Sequence, residues 1–258
     1  MRVTYERTEM GVVERGFELE VEGERVPGIL WLPEGARGSR PLLLQCHGGT
    51  QHKRIDTIVA RARIFVRYYG YARVALDAPG HGERATEADR ERMRQRLARG
   101  LRSLGPEELR AMAERNARAV REWKAALDVV QQLPEVGAGP VGWWGLSMGT
   151  AIGVPFVASE PRVRAAVLGL AGVRTEEFEQ LARRITVPVM VMCQWDDEVA
   201  PRDSVLKLFD VLGSREKTLH ANPGRHVEVP AYERVCWEEF FLRHLGKAAD
   251  VPAAAGSR

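Results

Sequence analysis

The sequence predicts an α/β fold, a doubly wound and mostly parallel sheet with antiparallel strands at its amino-terminal side and a helical insertion standing as a candidate lid. Three observations predict it. Short, mostly apolar runs recur at 41–46, 72–76, 141–144, 163–170, 187–193 and 217–221, without the polar alternation of a half-exposed strand. Such runs suit parallel strands covered on both faces. Helix-length segments lie between most of them, as right-handed crossover connections require. At one strand-to-helix junction stands Gly145-Leu146-Ser147-Met148-Gly149, a turn rather than a continuation of either element.

Taken in order, the chain opens with alternation at 17–21, a Glu22-Gly23 break, and a second run at 26–32, the pattern of an antiparallel hairpin or meander. Helices are expected near 56–69, 150–159, 203–212 and 232–244, with Pro161, Gly213 and Gly246 as punctuation. The segment between Gly82 and the strand at Val141 is too long for a plain crossover. Rich in Arg, Glu, Leu and Ala and interrupted at Gly105-Pro106, it reads as two helices, 87–104 and 106–132. The second serves as the crossover. The first is surplus, and an insertion of about 85–105 at the carboxyl edge of an open α/β sheet stands over the place where such sheets bind ligands. One domain, 1–246, is therefore expected, followed by an Ala-rich tail, 247–258, with too little apolar bulk to dock.

With 258 residues, 45% of them apolar and 28% charged, the chain has the makings of a soluble globular domain with a substantial core. No apolar run approaches the ~18 residues of a membrane span. Residues 1–7 lack a signal-peptide hydrophobic stretch, so a cytoplasmic location is expected. A net charge of +3, set against 38 basic and 35 acidic residues, gives no electrostatic case for nucleic acid. Oligomeric state is left open by the sequence, a homo-oligomer included. Cys46, Cys193 and Cys236 are an odd set, and the first two end apolar runs where a cysteine acts as a small buried hydrophobe. His52, His220 and His244 share no ligand-like spacing with one another or with the cysteines, so no metal is expected.

The chemistry centres on Ser147. Glycines two residues to either side allow a turn tight enough to swing a serine Oγ clear of the backbone. A flanking Gly pair arises by chance at about seven per cent per chain, so other residues must agree. They do. Asp196 and Asp197 follow the apolar run 187–193, and His226 sits in the loop Asn222-Pro223-Gly224-Arg225-His226 after the last predicted strand. Nucleophile, acid and base in this chain order match one known arrangement. The blander reading of Ser147 is a helix N-cap, and that of His226 a surface loop residue.

These stations, together with His47-Gly48-Gly49 after the first parallel strand and Asp77-Ala78-Pro79-Gly80-His81-Gly82 after the next, make residues 17–245 resemble the serine hydrolases of the α/β-hydrolase superfamily. The likeness is nearest to its dienelactone-hydrolase-like and prolyl-oligopeptidase-like esterases. The resemblance implies a triad of Ser147, Asp197 and His226. Pro201, four residues on, selects Asp197 over Asp196, although Gln194 stands where the family usually has glycine. It also implies an oxyanion hole of two backbone N–H groups. Met148 supplies one, and Gly49 the other, with Thr50 as the alternative. His47 and His81 read as structural loop residues. Dienelactone hydrolases proper carry cysteine at the elbow, and Ser147 departs from that.

The activity so implied is hydrolysis of carboxylic esters through an acyl-enzyme, chemistry that needs no cofactor, with a small-molecule ester as partner and without nucleic acid or membrane. The same parts would serve a small-peptide peptidase or a thioesterase, and a non-catalytic binding protein on the same fold is the rival of another class. Trp195, Tyr69, Tyr71, Trp143 and Trp144 are candidates for an acyl pocket, the last two reading more readily as core. The arginines of 90–102, interleaved with Glu87, Asp89 and Glu91, read as an exposed, partly ion-paired helix face.

Overall fold

A computed structural model describes residues 1–99 and 105–249. Among the described residues nine strands form one sheet: β1 (Arg2–Glu9), β2 (Val12–Val21), β3 (Glu24–Pro33), β4 (Leu42–Cys46), β5 (Ala72–Leu76), β6 (Val141–Gly145), β7 (Val163–Gly169), β8 (Val189–Gln194) and β9 (Lys217–Asn222). The spatial order is β1-β2-β3-β5-β4-β6-β7-β8-β9. β1 to β3 run antiparallel to their neighbours, and from β5 to β9 every pairing is parallel. The chain winds outward from β4 in both directions, as the apolar runs predict.

The helices are α1 (Asp56–Tyr69), α2 (Glu87–Arg99), α3 (Pro106–Gln131), α4 (Met148–Val157), α5 (Glu176–Arg183), α6 (Arg202–Val211) and α7 (Glu233–Leu245). Alternate residues of each parallel strand face opposite layers. Trp143 is fully buried against Trp123 of α3 and Phe156 of α4, while its neighbour Trp144 turns to the other face and meets Trp237 of α7. The layer of α3, α4 and α6 thus covers one side, and α1 with α7 covers the other.

Three findings extend or correct the sequence reading. β1 is an added edge strand, and its eight residues are exposed throughout, so no hydrophobic period marks it. α5 is an eight-residue helix capped by the Thr175 hydroxyl, which accepts from Phe178 N. At the other end the docked chain runs past Gly246: Ala248 is buried and its N–H donates to Tyr69 O at 3.1 Å. The rest of the predicted tail, 250–258, and positions 100–104 of the predicted insertion lie outside the described residues. Within the insertion α2 is helical, and none of its described side chains is buried. Among the described residues no helix is long and apolar enough to cross a membrane.

The carboxyl ends of β4, β5, β6 and β8, and the loop after β9, all open on the same edge of the sheet. That edge gathers the predicted site residues.

Candidate active site

Ser147 joins β6 to α4 with φ +57° and ψ −114°, a conformation that costs a non-glycine residue of order 1–3 kcal/mol. The flanking glycines explain how the turn closes. A Cβ on Gly145 would stand 2.7 Å from the carbonyl oxygen of Gly149, and one on Gly149 would stand 3.0 Å from that of Cys46. Any side chain at the first position would collide. The turn is pinned by Ser147 N–H donating to Gly169 O at 2.9 Å. Thr150 adds a second lock: its hydroxyl accepts from Gly169 N at 2.7 Å and lies 2.6 Å and 2.9 Å from the carbonyls of Gly169 and Gly145, one of which it donates to.

The Ser147 side chain makes no capping bond to α4. Its Oγ lies instead 2.9 Å from His226 Nε2, and His226 Nδ1 lies 2.7 Å from Asp197 Oδ2. The other carboxylate oxygen, Oδ1, accepts from the backbone amides of Val199 and Ala200, both at 2.7 Å. Asp197 is therefore buried and fixed by its own turn, with one oxygen committed to the imidazole. Asp196 is exposed and clasps the loop from outside, its amide donating to Gly224 O and its carboxylate accepting from Gly224 N. The three residues named from sequence stand in one hydrogen-bonded row, and the adjacent aspartate does not join it.

Gln194, where a glycine was expected, anchors that loop. Its buried Nε2 lies 3.0 Å from Glu228 O, 3.3 Å from Pro223 O and 3.4 Å from Arg225 O, spanning the segment that carries His226. The His226 N–H donates to Glu198 Oε2 at 3.0 Å. Backbone and ring of His226 are thus held from the β8 turn.

On the other side of Ser147 lies the segment after β4. The His47 ring is buried, with Nε2 accepting from Ala78 N at 3.1 Å and Nδ1 donating to Gly48 O at 2.8 Å. Burial holds its pKa down at about 4, so the ring stays neutral and serves as a clasp. Gly48 O also accepts from Gln51 N at 3.1 Å, which turns the Gly49 N–H of the same peptide the opposite way. Gly49 O faces His81 Nε2 at 2.9 Å, which orients the next peptide, the one bearing the Thr50 N–H. A Cβ on Gly49 would stand 3.8 Å from Met148 Cβ, so the two residues named for the oxyanion are neighbours. Met148 N–H, first in α4, has no intrahelical acceptor, and the helix dipole there favours negative charge.

Beneath this, Asp77 directly follows β5. Burial would raise its pKa, but bonds from Lys53 Nζ at 2.6 Å, Lys53 N at 2.9 Å and Glu83 N at 3.0 Å outweigh burial and hold it below the usual carboxylate value. Gly82, at φ +54°, leaves the room this needs, since a Cβ there would stand 2.3 Å from the carboxylate.

Of the aromatic candidates for an acyl pocket, Tyr71, Trp143 and Trp144 are buried core. Tyr69 and Tyr71 precede β5 and so sit at the sheet's amino edge, away from Ser147. Trp195 alone is exposed (46%) beside the acid, with the Arg202 guanidinium 4.6 Å over its ring. The histidines need a correction as well: sequence spacing kept His220 apart from the cysteines, yet the fold places it with Cys236 and Glu233.

The dienelactone hydrolase family model matches residues 69–222. Among solved structures, the PEG-bound complex of a cold-adapted esterase from an Arctic intertidal metagenomic library is 38% identical. It spans 94% of this chain and 98% of its own, with a TM-score of 0.78. An acetyl xylan esterase from Paenibacillus sp. R4 is 15% identical over 95% of this chain and 88% of its own, at a TM-score of 0.72. The acylaminoacyl peptidase of Pyrococcus horikoshii is 15% identical, covering 93% of this chain and 43% of its own, at 0.68; these two share the fold. No curated protein matches the sequence.

Proposed function

The chain belongs to the dienelactone hydrolase family, an esterase-like hydrolase on the α/β-hydrolase fold, and from that premise we propose that Ser147, His226 and Asp197 cleave carboxylic esters through an acyl-enzyme. The observation that carries this reading is the unbroken row from Ser147 Oγ through His226 to Asp197 Oδ2, at 2.9 Å and 2.7 Å, with Ser147 held at positive φ. A capping serine has no use for that strain.

In the proposed reaction Ser147 Oγ attacks the ester carbonyl carbon while its proton passes to His226 Nε2. Asp197 keeps the imidazole in the tautomer with hydrogen on Nδ1 and stabilises the imidazolium. The carbonyl oxygen, now negative, is received by the Met148 and Gly49 amides. The C–O bond to the alcohol breaks, and the alcohol leaves with the proton from Nε2. Water then gives a proton to Nε2, attacks the acyl carbon and releases the carboxylic acid, and the proton returns to Ser147. No cofactor enters this scheme.

Labelling with a fluorophosphonate tests the nucleophile. Wild type is modified and Ser147→Ala is not; an unreactive wild-type protein would favour the binding-protein reading. A series of p-nitrophenyl esters of increasing chain length, run beside aminoacyl anilides and acyl-CoA thioesters, tests the substrate class. The ester reading requires the esters to turn over fastest.

A further inference from the structure

Where α7 meets the last strand, a second cluster of reactive side chains is built from β9 and the first turn of α7. Glu233 and Cys236, three residues apart, share one helix face, and that face meets His220 of β9. Among the described residues this is the group of three potential ligands that converges: one donor atom each from His220, Glu233 and Cys236 lie within 4.8 Å of one another. Glu233 is 1% exposed, while His220 and Cys236 are half-buried and open to entry.

We propose that these residues form a zinc site. The donor set is an imidazole nitrogen, a carboxylate oxygen and a thiolate sulfur. That mixture suits a borderline-soft d¹⁰ cation and not the hard calcium or magnesium, which take oxygen ligands. A tetrahedral zinc with bonds of about 2.0–2.3 Å needs ligands roughly 3.3–3.8 Å apart. His220 Nδ1 already lies 2.8 Å from Glu233 Oε2, so the metal would take the place of the proton between them, and small side-chain rotations complete the set. With one imidazole, one carboxylate and one thiolate, a divalent ion is neutralised. Water fills the fourth position.

The surrounding bonds have the pattern of a metal's outer shell. Glu233 Oε1, the oxygen that does not face His220, accepts from Asn222 Nδ2 at 2.8 Å, and Asn222 Oδ1 accepts from the Tyr232 hydroxyl at 2.6 Å. The chain Tyr232–Asn222–Glu233 fixes the carboxylate so that one oxygen is presented inward. The site also has a position with consequences. It ties the end of β9 to the start of α7, and those two elements are the roots of the segment that carries His226. Asn222 O in turn accepts from Trp195 N at 2.8 Å, next to the Asp197 turn. Bound zinc would thus staple the base of the catalytic-histidine loop without touching Ser147.

The test uses the full-length protein with zinc or cobalt alone. Calorimetry is expected to show one equivalent of zinc on wild type. Cys236→Ser and His220→Gln should each weaken binding by about tenfold or more. Cobalt should give a near-ultraviolet thiolate charge-transfer band in wild type that Cys236→Ser lacks. Zinc should raise the melting temperature of wild type but not of Cys236→Ser. His226→Ala, which removes the histidine–carboxylate pair beside Ser147, should bind zinc as wild type does. Absence of zinc binding by wild type would overturn the proposal, as would binding that survives both ligand substitutions or that disappears in His226→Ala alone. These readouts are independent of esterase turnover.

Discussion

Asp197 Oδ2 and His226 Nδ1 stand 2.7 Å apart across the β8 and β9 loops, and Asp196, one residue earlier, faces the opposite side of the same loop. The difference is set by the Val199 and Ala200 amides, which capture Asp197 Oδ1 and leave Oδ2 for the ring.

Ser147→Ala and His226→Ala are therefore expected to lower kcat for a p-nitrophenyl ester by about 10³-fold or more. Asp197→Asn should be severely impaired as well, because an amide cannot hold the imidazole in the required tautomer. It need not match the other two, since nucleophile, base and amides remain. Asp196→Asn, whose side chain is exposed and bonds Gly224 N instead of the imidazole, should keep most activity. Steady-state kinetics on the four variants decides it: a silent Asp197→Asn beside a damaged Asp196→Asn would reverse the assignment of the acid.

Thr150 bridges the ends of β6 and β7 under the Ser147 turn, its hydroxyl buried and bonded to Gly169 N at 2.7 Å. Thr150→Val keeps the shape and removes the oxygen, leaving a buried amide and a carbonyl without their partner. The expected loss is about 1–3 kcal/mol in urea unfolding. Because Gly169 O also accepts from Ser147 N, kcat should fall with it. A variant as stable and as active as wild type would show that the lock is redundant.

How far the sequence carries depends on whether a feature has a local cause. Ser147, Gly145 and Gly149 are legible because the turn itself demands them, and the inner parallel strands are legible because burial on both faces leaves mostly apolar residues. β1 leaves no such trace: residues of an exposed edge strand obey no hydrophobic period. α5 did carry a signal, Thr175 ahead of Glu176 and Glu177, but its eight residues are too few for periodicity to show. Gln194 looked like a departure from pattern, and only the fold shows that its amide reaches three carbonyls of the His226 loop. The meeting of His220 with Cys236 is likewise a product of strand-to-helix docking, which no spacing in the chain records.

The buried His47 gives stability a pH dependence. Its folded-state pKa is held near 4 by burial, below the ~6.5 of an unfolded histidine. Between these values the unfolded chain binds the extra proton, so stability falls as pH is lowered from about 6.5 toward 4, by at most about 1.4 kcal/mol per pH unit from this group. His244, also depressed by burial, adds in the same direction and is less buried. Asp77 is depressed below the carboxylate value, so its contribution is lost only at lower pH, below about 3.8. Urea unfolding of wild type and His47→Gln at pH 7, 6 and 5 separates the terms. The variant should show a shallower decline, whereas equal slopes would remove His47 as the cause.

Deleting the α2 segment tests whether the insertion works as a lid. α2 begins after the Asp77–Arg84 loop, at the sheet edge where Ser147 opens, and none of its described side chains is buried. Its ion pairs are exposed and partly between residues of the same helix, such as Arg90 with Glu87 and Arg94 with Glu91. Pairs of that kind contribute little to stability. Replacing residues 87–104 by a short Gly-Ser linker should therefore leave the melting temperature close to that of wild type. A segment that covers the acyl chain of a bound ester would still matter to substrate choice, and its removal should shift the chain-length profile on p-nitrophenyl esters. An unchanged profile would show that α2 stands clear of the substrate. A profile change accompanied by an equal loss of stability would make the segment part of the fold instead of a cover over it.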